Sequence, residues 1–183
     1  MKALFHLATS IFVLLFLSGC DKFEEKKFST TIEVRIPVDV TSENNGAVVI
    51  DMNQLADVLA MNSNLAQVQD KIKRYELVGI KYKVFEYWNS PTSTFSGALG
   101  FANKNMENPG LDYALTNLSL QQSMDATELT RIDFSNNDLE KIQQYFIDTN
   151  ALKIFLRGEI SETPSKFTLY LQVDVDAIAE VEK

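Results

Sequence analysis

Ile32, Val34, Ile36, Val38 and Val40 alternate with Glu33, Arg35, Pro37 and Asp39. A period of two sends successive side chains to opposite sides of an extended chain, so this stretch predicts a strand with one buried and one wet face. Pro37 has no N–H to give to a ladder, which places it on an edge or at a bulge. Residues 42–46 read as a turn, because Asn-Gly is the strongest local hairpin signal. Residues 47–52 read as a second, short strand. Leu55, Val58 and Leu59 share one helical face behind Asn53 as N-cap. Leu65, Val68 and Ile72 resume that spacing after a break at 62–64.

A long strand follows over 75–87. Tyr75 and Leu77 sit on one phase and Ile80, Tyr82 and Val84 on the other, so the alternation slips at Gly79, as a glycine bulge would make it. Residues 94–101 and 111–120 are further strands around the polar loop 103–110. Residues 128–134 form another. Ser135, three residues before Asp138, then caps a helix with Leu139, Ile142 and Phe146 on its apolar stripe. Leu152, Ile154, Leu156 and Ile160, a turn at Pro164, and Phe167, Leu169, Leu171, Val173, Val175 and Ala177 predict a closing hairpin. Residues 49–52 and 131–134 each lead into a helix and then a strand, a short internal echo of one β-helix-β unit.

Clean alternation in about eight segments implies antiparallel sheets with one buried face. The expected fold is mostly β, a two-sheet antiparallel sandwich in the immunoglobulin style, with one or two short helices capping its ends. The alternatives are an α+β arrangement, with helices on one face of a single sheet, and a barrel. The sandwich domain is expected over 30–183.

The first nineteen residues do not belong to that pattern. Lys2 precedes an apolar run from Ala3 to Leu17, which ends in Ser18, Gly19 and Cys20. A basic start, a short apolar core and small residues before a cleavage point describe a signal peptide, and the run is too short to span a bilayer comfortably. Leu17-Ser18-Gly19-Cys20 also resembles, at all four positions, the lipobox of bacterial lipoproteins. That resemblance implies cleavage before Cys20, diacylglycerol on its thiol and often a further acyl chain, such as palmitate, on the new N-terminus. Two or more chains give stable anchoring. The implied division is a signal peptide over 1–19, then the lipidated Cys20 and a short charged tether over 20–29. The implied location is the cell envelope, with the lipid bilayer as first partner. Beyond the lipobox, the body is similar only in general style to small β-sandwich lipoproteins of Bacteroidota. Asp21 resembles the inner-membrane retention signal of enterobacterial lipoproteins, which leaves inner against outer membrane open.

Composition narrows the chemistry. The chain of 183 residues carries a formal charge of −8, and cleavage before Cys20 removes Lys2 but no acid. An acidic body repels phosphate backbones, so no nucleic-acid partner is expected. The single histidine is His6 and the single cysteine is Cys20, both in the targeting segment. The exported body then has no imidazole or thiol. A Ser-His-Asp or Cys-His centre, a zinc, copper or haem site and a disulfide are all outside its means, and no cofactor is expected.

The candidate ligand contacts are Phe85, Tyr87 and Trp88 at the end of the long strand, where aromatic rings can stack on sugars or cap an apolar ligand. The simpler expectation is that Trp88 plugs one end of the sandwich. Asp174 and Asp176 form a D-x-D pair of the kind calcium takes, on a face where acids are ordinary. Asp133, Ser135, Asn137 and Asp138 begin like a calcium loop, but Asp138 stands where a glycine and Gln144 where a glutamate would be needed. Asn44, Asn45, Asn103, Asn105 and Asn108 would make a polar rim, as loops commonly do. The leading expectation is a membrane-anchored, non-catalytic envelope module for a protein partner. The alternative is a glycan-binding accessory protein using Tyr87 and Trp88, and a carboxylate-based hydrolase comes third.

Overall fold

In the computed structural model, the residues described are 23–40, 48–88 and 90–183. The turn proposed at 42–46, the apolar run and the lipobox lie outside them. Strand β1 (Phe23–Val40) is the alternating segment itself, and from Thr30 to Val38 its even positions are buried and its odd ones exposed. It lies at the edge of its sheet, where Pro37 costs no ladder bond. The strand begins at Phe23, so most of the expected charged tether is strand. Phe23 to Phe28 pair residue by residue with Glu182 to Ala177, and that ladder outweighs the polar side chains.

The other strands are β2 (Val48–Asp57), β3 (Ile72–Trp88), β4 (Thr94–Asn103), β5 (Leu111–Ser119), β6 (Thr130–Arg131), β7 (Ala151–Ile160) and β8 (Ser165–Glu182). They form two four-stranded antiparallel sheets. Sheet A has the order β1-β8-β3-β6 and sheet B the order β2-β7-β4-β5. The mostly β, two-sheet sandwich is as expected, but not the immunoglobulin style. This order is that of an eight-stranded jelly roll. Sequence neighbours mostly fall in opposite sheets: β1 pairs with β8 and not β2, and β7 pairs with β2 and β4 and not β8. The Pro164 turn therefore links the two sheets and is not a hairpin within one sheet. Among the described strands, only β4 and β5 are joined in sequence and paired in space.

Four α-helices are described: α1 (Val58–Met61), α2 (Ser63–Ala66), α3 (Leu120–Asp125) and α4 (Asn136–Thr149). The first begins later than the spacing implied. Asp57, not Asn53, caps it, accepting from the N–H groups of Leu59 and Ala60, because β2 runs on to Asp57 and leaves Leu55 on a strand. Ile72 likewise opens β3. The 128–134 strand shrinks to two residues, and α3 replaces the end of the predicted 111–120 strand. Helix α4 is capped as expected: Ser135 Oγ accepts from the Asp138 N–H and donates to its carboxylate. Between the sheets lies a core of Ile32, Ile36, Ile80, Phe95, Leu99, Phe101, Ile154, Leu156, Leu171 and Val173, all buried.

The slip at Gly79 is a register shift between Leu77 and Gly79 against β8. It leaves Val78 out on the surface, 54% exposed. No described glycine has a positive φ, so the bulge does not rest on glycine's conformational freedom.

Candidate functional site

The two sheets differ in how their outer faces are finished. On sheet B, Phe155 points outward yet is only 1% exposed. The 103–110 loop folds back over it. Pro109 sits against Gly100, the cross-strand partner of Phe155. Lys153 donates to the Met106 carbonyl and Arg157 to Asn108. The two cations lie 5.1 and 5.0 Å from the Phe155 ring centroid, both within cation–π range. Asn103 accepts from the Asn105 N–H and Asn108 binds Arg157, so these asparagines build the loop. Asn44 and Asn45 lie outside the described residues.

Among the described residues, no loop covers the end of β3 on sheet A in this way. Register assembles its outer face in rows: Arg35, Tyr170 and Lys83 form one, Pro37, Thr168 and Phe85 the next, and Asp39, Lys166 and Trp88 the last. Phe85 is 46% exposed and Trp88 69% exposed. Trp88 is not the core plug expected of it. The reason is local: Glu86 takes a left-handed φ of 57°, and the ladder slips between Phe85 and Trp88. The slip turns Trp88 outward with Phe85 and sends Tyr87 the other way. Tyr87 packs against the core, its hydroxyl donating to the Ser90 carbonyl and its N–H meeting Met124 Sδ at 3.3 Å. Burial pushes its phenol pKa up. Of the three predicted contacts, the fold brings Phe85 and Trp88 to one face and withdraws Tyr87.

A cleft of about 230 Å³ opens beside Phe85, lined by Arg35, Lys83, Phe85, Thr127, Leu129 and Tyr170. The Arg35 guanidinium lies 5.7 Å from the Phe85 ring centroid. Lys83 donates to the Ala126 carbonyl, which fixes it along the cleft wall. Burial and the nearby Glu33, which also accepts a hydrogen bond from its hydroxyl, push the Tyr170 phenol up. Sequence reasoning missed Arg35, Tyr170 and Leu129. They come from β1, β8 and the segment before β6, and no spacing along the chain announces that neighbourhood.

The D-x-D pair is already partnered. Asp176 is 5% exposed and holds Lys27. Asp174 accepts from Thr31 at 2.7 Å and from Gln172, with Lys81 at 3.6 Å. Among the described residues no group of three or more His, Cys, Asp or Glu side chains is placed to hold a metal ion. No described helix is long and apolar enough to cross a membrane.

No protein-family profile and no curated protein matches the chain. Solved structures of similar shape include one of Desmodium yellow mottle tymovirus, 13% identical over 87% of this chain and 85% of that one, with a TM-score of 0.41. A semi-empty virus-like particle of Macrobrachium rosenbergii nodavirus is 9% identical over 91% and 99%, with a TM-score of 0.39. The decameric BFDV capsid protein is 7% identical over 84% and 99%, also at 0.39.

Proposed function

We propose that the chain is a lipid-anchored, non-catalytic binding module of the cell envelope that recognises a glycan through the outer face of sheet A. The observation that carries the reading is the exposure of Trp88 and Phe85 on one sheet face that no described loop covers, beside the Arg35–Lys83 cleft. Burying an exposed aromatic is among the larger gains available to a binding surface, and sugar faces are suited to it. A concave cleft with a few polar groups favours a small unit of a polymer over the broader apolar patch of a protein partner.

The lipobox supports the anchored end. Cys20 lies three residues before Phe23, a reach of about 10 Å at most. From Phe23 to Asp39, β1 extends roughly 50 Å at about 3.3 Å per residue, and Asp39 shares its row with Trp88. The aromatic face thus stands at the far end of the strand from the lipid.

Two measurements test the reading. The intact mass of protein purified from its host's membranes is expected to match Cys20 to Lys183 plus acyl chains, and Cys20→Ser is expected to lose them. A lipid-free mass in the soluble fraction would remove the anchor. A panel of glycans is expected to change Trp88 fluorescence. If the panel leaves it unchanged while the protein co-purifies with an envelope complex, the partner is a protein.

A further inference from the structure

Most cations on the outer face of sheet A are paired. Lys27 holds Asp176, Lys81 holds Asp174, Lys166 holds Asp39, and Arg74 bridges Glu25 and Glu76. Among the described residues, Arg35 and Lys83 have no carboxylate within ion-pair distance, in a chain whose acids outnumber its bases by 25 to 17. These two flank the cleft. They share one row across three strands, with Tyr170 between them, so their backbones are about 10 Å apart and their long side chains can converge on one group.

The molecule also shows how it finishes such a ring when its own chain does so. Phe155 carries two cations and is sealed by the 103–110 loop. Phe85 has Arg35 over its ring and Lys83 beside it in the cleft, and among the described residues no loop seals it, so it stays 46% exposed.

We propose that this cleft takes a carboxylate-bearing sugar of an acidic glycan, the carboxylate held between Arg35 and Lys83 and the ring laid along the open part of Phe85. The inference rests on the glycan-binding reading above and adds the charge of the ligand. Arg35 supplies a planar fork matched to a carboxylate, and Lys83 a compact second charge. Phe85 and Leu129 supply the apolar wall and Thr127 a hydroxyl. The overall negative charge of the body disfavours such a ligand over most of the surface, which favours binding where these two cations meet.

The test uses the full lipidated chain in neutral detergent. It is titrated by calorimetry with trigalacturonic acid and with neutral galactotriose. The acidic trisaccharide is expected to bind at least tenfold more tightly and to weaken as salt rises. Arg35→Gln and Lys83→Gln are each expected to cost tenfold or more for the acid and little for the neutral sugar. Equal binding of the two sugars, lost in Phe85→Ala, would overturn the acidic ligand and leave the glycan reading standing. Binding of neither, by protein whose melting is normal, would overturn both. Binding of the acid that Arg35→Gln and Lys83→Gln leave unchanged would place the site elsewhere and overturn this assignment.

Discussion

The Tyr75 hydroxyl donates to Asn150 Oδ1 at 2.7 Å, joining the first half of β3 in sheet A to the C-cap of α4, from which β7 enters sheet B. Asn150 holds a left-handed φ of 56° and closes the helix through its N–H to the Phe146 carbonyl. Tyr75 is buried against the Phe146 ring, with centroids 5.6 Å apart. Burial, with the charge of Asp57 adding to it, pushes the phenol far above its ordinary pKa, so it stays a donor throughout the physiological range.

Tyr75→Phe is expected to destabilise the fold by about 1–2 kcal/mol, because the ring remains packed and only a buried hydrogen bond is lost. Asn150→Gly suits the left-handed backbone and removes the same bond. In a double-mutant cycle followed by urea unfolding, the two changes together are expected to cost less than their sum. Strict additivity would show that the bond contributes nothing.

The Lys27–Asp176 pair sets a dependence on pH. Burial raises the Asp176 carboxyl, but the hydrogen bonds from Lys27 and Ser29 and the Lys27 charge outweigh it and hold it below its ordinary value. Asp176 lifts Lys27 above its own. A depressed acid gives stability that is present above its unfolded pKa, near 4, and is lost as pH falls through the folded value. A raised lysine gives stability that is present below its unfolded pKa, near 10.5, and is lost as pH rises through the folded value. Thermal melting of the wild type is therefore expected to show a plateau between these limits. Lys27→Met is expected to reduce the loss at both ends, and an unchanged profile would remove the pair from the account.

Two glycines on neighbouring sheets are expected to behave oppositely. A Cβ on Gly97 would lie 2.1 Å from the Arg157 carbonyl oxygen and 2.6 Å from Gly158 Cα, both backbone atoms of the adjacent strand. Gly97→Ala is expected to prise β4 from β7 and cost several kcal/mol, or to prevent folding. A Cβ on Gly79 meets nothing within 4 Å, and its φ is not positive. Gly79→Ala is expected to leave stability unchanged or raise it by up to about 1 kcal/mol, through the entropy of the unfolded chain. Urea midpoints of the two variants decide the matter.

Trp88 is the chain's single tryptophan and is 69% exposed. Its emission is expected to be red-shifted and readily quenched by iodide in the folded protein. Trp88→Ala is expected to shift stability by no more than about 0.5 kcal/mol, as surface changes usually do. A blue-shifted, protected emission, or a variant that fails to fold, would return Trp88 to the core.

The sequence by itself determined what is local. Alternation in 32–40, 152–160 and 167–177 placed the strands and their inward faces, because the side-chain period of a strand is a property of the backbone alone. Ser135 announced the start of α4, because capping acts within one turn. The resemblance of Leu17-Ser18-Gly19-Cys20 to a lipobox and the absence of histidine and thiol beyond Cys20 are likewise matters of residue order and composition. Which strands would meet was settled only by the tertiary structure. The Pro164 turn has every local mark of a hairpin, yet β7 and β8 part into opposite sheets, because each buries its apolar face and fills its ladder better against distant strands. The same long-range pairing brings Arg35, Tyr170 and Lys83 into one row. Pairing also places the bulge at Glu86 that turns Trp88 to solvent and Tyr87 to the core. The aromatic residues of the candidate site were legible as a cluster in sequence. Their exposure and their cations were not, because both depend on register between segments far apart in the chain.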